Sequence, residues 1–180
     1  FMRNMEEFFR FYREKMLPLE ARPNAAHLTL ARWEREGRLK AVVTQNIDGL
    51  HQKAGSRQVY ELHGSVLRNY CMRCGKFHSA EFIRDSAGVP RCSCGGIVKP
   101  DVVLYEEALK EETLLGAVRA IAAADLLIVG GTSLTVYPAA GLLNYFSGKH
   151  LVLLNRDETG RDGAADLILR QPIGQVLGAF

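Results

Sequence analysis

Four cysteines crowd into residues 71–94, and none stands elsewhere in the chain. They form two close pairs, Cys71-Met72-Arg73-Cys74 and Cys92-Ser93-Cys94, with 17 residues between them. Two thiolates on each of two tight turns converge readily on one tetrahedral Zn²⁺, whose bonds to sulfur are roughly 2.3 Å long. Four sulfur ligands leave no open position for water, so the spacing predicts a structural zinc rather than a catalytic one. Two disulfides, or four unrelated thiols, are the competing readings, and Cys-x-Cys is a less usual pair than Cys-x-x-Cys. Cysteines clustered in this way fit a reducing compartment better than a secreted disulfide framework, which predicts a cytoplasmic location.

Residues 65–99, which hold these cysteines, carry few large aliphatic side chains, and Gly75, Gly88, Pro90, Gly95 and Gly96 punctuate them with turns. With so little apolar material, the metal is expected to supply much of the folding free energy of this segment. Outside it the pattern changes. Ala41–Thr44, Gln58–Leu62, Leu126–Val129, Leu151–Leu154 and Asp166–Leu169 read as strands, with Leu126–Val129 the most clearly buried. Asn4 is placed to cap a helix running to Met16–Leu17, with Glu7 completing a capping box, and Asn24 to cap a second that Gly37 ends. Further helices are predicted over Glu107–Ala124 and Pro138–Phe146.

Strands alternating with helices predict an α/β fold: a Rossmann-like parallel sheet with helices on both faces, plus a small zinc-binding module inserted into it. The predicted division assigns residues 1–64 and 100–180 to the Rossmann-like domain and 65–99 to the zinc module.

Charge and hydropathy narrow the partners. The net charge of +3 is spread over interleaved acids and bases, as in Glu34-Arg35-Glu36, so no basic stripe forms and no direct nucleic-acid binding is expected. No apolar run approaches the roughly 18 residues of a membrane span; the longest, around Ala120–Val129, is broken by Asp125. The opening Phe1-Met2-Arg3-Asn4 lacks the apolar core and cleavage site of a signal peptide.

The ends of the predicted strands carry the candidate chemistry. Leu126–Val129 runs into Gly130-Gly131-Thr132-Ser133, and ligands of open α/β sheets sit at such carboxyl ends, where amides and hydroxyls bind phosphate or ribose. A tight turn would use the same residues. Asn155 follows Leu151–Leu154, suited to ribose hydroxyls or simply to starting a turn. Gln45, Asn46 and Asp48 follow Ala41–Thr44 and outnumber the polar groups a turn requires, although Gly49 could close an Asx turn there. His63 ends the next strand beside Gly64, as a candidate general base near neutral pH or as a structural histidine.

Taken together, Thr44-Gln45-Asn46-Ile47-Asp48-Gly49-Leu50-His51, Glu61-Leu62-His63-Gly64-Ser65, the four cysteines, Gly130-Gly131-Thr132-Ser133-Leu134 and Val136-Tyr137-Pro138-Ala139 resemble the sirtuin family in content and order. The resemblance implies an NAD⁺-dependent protein-lysine deacetylase that removes acetyl and other neutral acyl groups, releasing nicotinamide and an O-acyl-ADP-ribose. It implies NAD and Zn as cofactors, and acetyl-lysine proteins or peptides as partners. His63 would be the general base. Gln45, Asn46, Ile47 and Asp48 would meet the nicotinamide end of NAD⁺ and its ribose, Gly131, Thr132 and Ser133 would contact the cofactor, Asn155 would meet the adenosine ribose, and Ile173 would flank the adenine. Substrate peptide would add as a strand between Val102, Val103, Leu104 and Tyr105 on one side and Leu134 and Val136 on the other.

Two departures accompany the resemblance. The family begins with a strand and a Gly-Ala-Gly-x-Ser loop that cradles the pyrophosphate at a helix N-terminus; this sequence contains no such loop, and the chain by itself is expected to be inactive. An inactive fragment or scaffold of the family is therefore an alternative reading, and protein mono-ADP-ribosylation, which the same site could support, is another. Family members that remove succinyl or malonyl groups carry Tyr-x-x-Arg where Phe9-Arg10-Phe11-Tyr12 stands here, and an apolar Phe9 and uncharged Tyr12 offer no cation for an acyl carboxylate.

Overall fold

Asn4 opens the first helix by accepting the backbone N–H of Glu7 on Oδ1 at 3.1 Å. The cap is the one the sequence predicts, but the carboxylate of Glu7 is engaged by the Arg10 guanidinium, at 3.1 Å from Nε. The computed structural model describes Phe1 and residues 4–180. Met2 and Arg3, within the opening stretch read above for a leader, lie outside the described residues.

Helix α1 (Met5–Phe11) widens into a π-helical turn over Tyr12–Met16, and the chain leaves it at Leu17, before Pro18. Helix α2 (Ala25–Arg35) starts from a full capping box, in which Asn24 and His27 each accept the other's backbone N–H. Beyond it Gly37 takes φ +75°, the left-handed conformation that ends helices. There follow β1 (Val42–Thr44), α3 (Leu50–Ala54), β2 (Val59–Glu61), β3 (Gly64–Cys71), β4 (Phe77–His78), α4 (Ala80–Asp85), β5 (Val98–Val102), α5 (Glu111–Ala122) and β6 (Leu126–Gly130). A 3₁₀ helix over Ala139–Tyr145, β7 (His150–Leu154), a 3₁₀ turn at Asp162–Ala164, β8 (Leu167–Leu169) and α6 (Ile173–Gly178) complete the order.

These elements separate into two compact units. The first comprises Phe1–Ala21, Asn46–Gly49 and His63–Leu109; the second comprises Arg22–Gln45, Leu50–Leu62 and Lys110–Phe180.

The first unit is built on an antiparallel sheet in the order β4-β3-β5. Phe9 and Tyr12 from the N-terminal helix, Val66 from β3, Ile83 from α4 and Val98 from β5 are sealed from solvent in one cluster. Each such side chain contributes about 1.5–3 kcal/mol on burial. The cysteine-bearing segment thus shares an apolar core with the N-terminal helix, in addition to whatever a metal contributes. Arg13 fastens the π-helical turn to this sheet's helix by donating from Nε to the Ile83 carbonyl at 2.8 Å.

The second unit carries the parallel strands. β1 pairs with β2, and β6, β7 and β8 form a second parallel sheet in that order. The fold is α/β with parallel sheets and helices as predicted, but the parallel strands form two sheets rather than one. Helices α2 and α6 pack around Ala26, Leu154 and Leu177, joined by Trp33 and Ile173.

Two boundaries differ from expectation. Leu126, read as buried, is 48% exposed, and the rest of β6 is half-buried, because β6 stands at the edge of its sheet among the described residues. Helix α5 starts at Glu111 rather than Glu107; ahead of it the Glu107 carboxylate accepts the Leu104 N–H at 3.0 Å and pairs with Lys99 Nζ at 3.1 Å. Among the described residues, no helix is long and apolar enough to cross a membrane.

Candidate active site and metal centre

The four thiols lie at the end of the antiparallel sheet, on two hairpin-like turns. In one, Gly75 N–H donates to the Cys71 carbonyl at 2.9 Å; in the other, Gly95 N–H donates to the Cys92 carbonyl at 2.8 Å. The four Sγ atoms all fall within 4.8 Å of one another. Individual separations are 3.5 Å for Cys71–Cys94, 3.5 Å for Cys94–Cys74 and 3.8 Å for Cys74–Cys92. The edge of a tetrahedron with bonds of roughly 2.3 Å is about 3.8 Å, so the four sulfurs fit one zinc ion. They are far beyond the roughly 2.05 Å of a disulfide, and all four are free thiols.

The surroundings favour thiolate at two of the four. The backbone N–H of Cys74, joined by that of Arg73, brings Cys71 down to about 6. The backbone N–H of Cys94, with the His78 side chain, brings Cys92 to about 7. Cys74 is drawn down by the Lys76 N–H, but its contacts with Cys94 and Cys71 outweigh this and push it up to about 11. Four neighbouring thiols without a cation retain protons in this way, and a divalent metal would displace them. Gly96, read from sequence only as a turn residue, has a steric task. A methyl group there would stand 2.6 Å from Cys71 Sγ. Its φ is not left-handed, so nothing in the local sequence announces the requirement.

The first unit also holds the candidate base. His63 sits half-buried in the turn between β2 and β3, and its carbonyl accepts the Val103 N–H at 3.0 Å. Asn46, Ile47 and Asp48 are secured alongside, since the Ile47 carbonyl accepts the Val66 N–H of β3 at 2.9 Å. Gly49 follows with φ +71°, where a side chain would meet Leu67 Cδ1 at 2.6 Å. Of the predicted peptide-binding stretch, Val102 is buried as the last residue of β5, Val103 is tied to His63, Leu104 is half-buried, and Tyr105 is fully exposed. His63, Asn46–Asp48 and Val102–Tyr105 are thus connected through β3 and β5.

In the second unit the carboxyl ends of the parallel strands gather the remaining candidates. Gln45, just past β1, donates from Nε2 to Thr132 Oγ1, just past β6, at 3.5 Å. Gly131 has φ +65°, its N–H donates to the Leu154 carbonyl at 3.1 Å, and a methyl group there would meet nothing within 4 Å. That open backbone beside the Thr132 and Ser133 hydroxyls suits the phosphates and ribose of a dinucleotide. The Thr132 hydroxyl accepts the Leu134 N–H at 3.2 Å, and the Ser133 hydroxyl meets that of Thr135 at 2.7 Å. Leu134 takes a left-handed φ of 57°, and Val136 is exposed. Asn155, past β7, donates from Nδ2 to the Asp157 carbonyl at 3.0 Å, which closes its own turn. Ile173, opening α6, faces Gly130: a methyl group on the glycine would lie 2.5 Å from Ile173 Cδ1.

Comparison with known proteins follows the same lines. A model of the Sir2 family matches residues 1–138. An NAD-dependent protein deacetylase of Clostridium perfringens is 60% identical over 180 residues, spanning 99% of this chain and 74% of the relative. One from Cutibacterium acnes is 60% identical over 173 residues, covering 96% of this chain and 71% of its own length. Among solved structures, Sir2 with a p53 peptide and NAD⁺ superposes with a TM-score of 0.90 at 43% identity, covering 96% of this chain and 75% of the other. Sir2 with the inhibitor EX-527, 2′-O-acetyl-ADP-ribose and deacetylated p53 peptide gives 0.89 at 43% identity, covering 96% and 76%.

Proposed function

The chain belongs to the Sir2 family, and we infer that it is an NAD-dependent protein deacetylase acting on acetyl-lysine in proteins or peptides. The observation that carries this reading is its 60% identity to NAD-dependent protein deacetylases over nearly its whole length. When bound, NAD⁺ would supply the reactive nicotinamide–ribose bond. The residues of this chain bind, orient and move a proton.

His63 is the proposed general base, accepting the ribose hydroxyl proton on its imidazole. Asn46, Ile47 and Asp48, held to β3, and Gln45, bonded to Thr132, are proposed to orient the nicotinamide end. Gly131, Thr132 and Ser133 would hold the cofactor through backbone and hydroxyl groups, with Asn155 on the adenosine ribose and Ile173 beside the adenine. Substrate backbone would pair with Val102–Tyr105 and with Leu134 and Val136, a mode that tolerates varied sequences. Cys71, Cys74, Cys92 and Cys94 would hold a structural zinc that takes no part in the reaction. In domain terms we assign residues 65–99 to the zinc module and residues 1–64 and 100–180 to the NAD-binding domain. Four cysteines spaced for one metal ion fit a reducing compartment, and on that ground we propose a cytoplasmic setting.

The test is nicotinamide release by the protein carrying this sequence, measured together with loss of acetyl from a lysine peptide. The His63→Ala variant should lower kcat by about 10²–10⁴-fold. Equal turnover by both proteins would overturn the assignment of His63. ADP-ribose transferred to protein without loss of acetyl would favour the transferase alternative.

A further inference from the structure

Asn155 and Arg170 are the first residues past two neighbouring parallel strands, since the β7–β8 register ends with Leu154 opposite Leu169. The strands therefore deliver the two side by side. The Asn155 N–H donates to the Leu169 carbonyl at 3.1 Å, and Arg170 Nη1 donates back to the Asn155 carbonyl at 3.2 Å. The same Nη1 donates to the Asp157 carbonyl at 2.8 Å. That carbonyl also accepts Asn155 Nδ2, at 3.0 Å. On its other arm, Arg170 Nη2 pairs with Asp162 Oδ2, while Asp162 Oδ1 accepts the Thr159 N–H at 3.1 Å and the Thr159 hydroxyl at 2.7 Å. One guanidinium thus joins both ends of the 155–162 loop.

An isolated ion pair at the surface contributes little. Arg170 does more than pair with Asp162, because its planar fork fixes two backbone carbonyls relative to that carboxylate. With Nδ2 committed to the Asp157 carbonyl, the Asn155 amide can turn only by breaking that bond, and Arg170 holds the acceptor in place. The amide orientation leaves Oδ1 as the atom with which Asn155 can meet a ligand hydroxyl. We propose that Arg170 is a positioning residue for dinucleotide binding: it locks the loop after β7 so that Asn155 Oδ1 is preset to accept a hydroxyl of the adenosine ribose. This rests on the reading of Asn155 as the ribose contact. A preset polar group loses little freedom when its ligand arrives, so the lock acts on affinity and not on the chemical step.

The experiment measures ADP-ribose binding by calorimetry, and NAD⁺ turnover with an acetyl-lysine peptide, in the protein carrying this sequence. Arg170→Ala, Asn155→Ala and the double variant are compared with it. Arg170→Ala should weaken ADP-ribose binding by about 3–10-fold and raise the KM for NAD⁺ to a similar extent, with kcat nearly unchanged. The effect should disappear in the Asn155→Ala background, because no amide is then left to position. An equal loss in both backgrounds would overturn the proposal and leave the Asn155 reading intact, as would full affinity in Arg170→Ala beside weakened binding in Asn155→Ala. Unchanged binding by Asn155→Ala would overturn that reading and the proposal with it, and wild-type protein that binds no ADP-ribose would overturn the NAD reading itself. Should Arg170→Ala fail to fold, Arg170→Lys takes its place under the same criteria, since a lone ammonium keeps the charge beside Asp162 but lacks the fork that holds both carbonyls.

Discussion

Gly64 and Asp101 meet so closely across β3 and β5 that a methyl group on Gly64 would overlap the Asp101 carbonyl oxygen. The glycine also holds φ +79°, which side-chain-bearing residues rarely adopt. The resemblance places Gly64 in a catalytic motif, and the sheet supplies a separate reason for it: the chain must turn sharply after His63 and then lie flush against β5.

Gly64→Ala should therefore destabilise the protein by about 2–4 kcal/mol, combining overpacking with the cost of a left-handed alanine. Gly88→Ala is the control, since Gly88 shares a positive φ but a methyl group there meets nothing within 4 Å; it should cost only about 1 kcal/mol. Urea unfolding of both variants measures the difference, and equal losses would show that packing against Asp101 is immaterial.

Removing zinc should loosen residues 65–99 first. Hydrogen exchange after chelation is expected to rise around Cys71–Cys74 and Cys92–Gly96 before it rises in Val66 and Val98, which the Phe9–Tyr12–Ile83 cluster still covers. Metal uptake should also depend on pH. Cys71 and Cys92 are lowered from 9 to about 6 and about 7, so their thiolates persist in the metal-free fold above these values and take up protons as pH falls through them. Zinc capture from a weak chelator should weaken steeply between pH 7 and 6. A flat profile across that window would contradict the assigned environments.

Acetyl should be removed faster than succinyl. Phe9 and Tyr12 are buried at 0% and 1% exposure, and burial pushes the Tyr12 phenol above its ordinary range, so it stays neutral. The neighbouring cations are occupied: Arg10 pairs with Glu7 and Glu14, and Arg13 donates to the Ile83 and Gly88 carbonyls. An acyl carboxylate would lack the charge-assisted bonds worth about 1.5–3 kcal/mol, so kcat/KM for succinyl-lysine should be at least about tenfold lower. The comparison needs one peptide carrying each acyl group in turn, and faster desuccinylation would refute it.

Gly130 and Ile173 should behave as a coupled pair. Gly130→Ala places a methyl group 2.5 Å from Ile173 Cδ1 and should cost about 1–3 kcal/mol. Adding Ile173→Ala should recover part of that loss, because the obstructing atom is the end of a flexible side chain. Full additivity in a double-mutant cycle would mean the two side chains do not meet.

Several features were legible in the residues themselves because their physics is local or their spacing is specific. Asn4 and Asn24 cap their helices as predicted, since a cap involves only the next three residues. The Cys-x-x-Cys and Cys-x-Cys turns determined that four sulfurs could converge, and the strand ends at Thr44, Gly130 and Leu154 were visible from short apolar runs followed by polar groups. What only the tertiary structure decided depends on partners distant in sequence. β3 and β5, within and beside a segment read as turns, pair Cys71 with Val98 and Gly64 with Val102, and neither strand announces the other. The edge position of β6 left Leu126 exposed despite its apolar run, and α5 begins only at Glu111. Gly96 acquires its role through space, from the sulfur of Cys71, 25 positions away. Local sequence carries the energetics of caps, turns and ligand spacing; strand pairing and burial are properties of the folded neighbourhood, and the packing around Cys71 and Cys92 belongs to that second class.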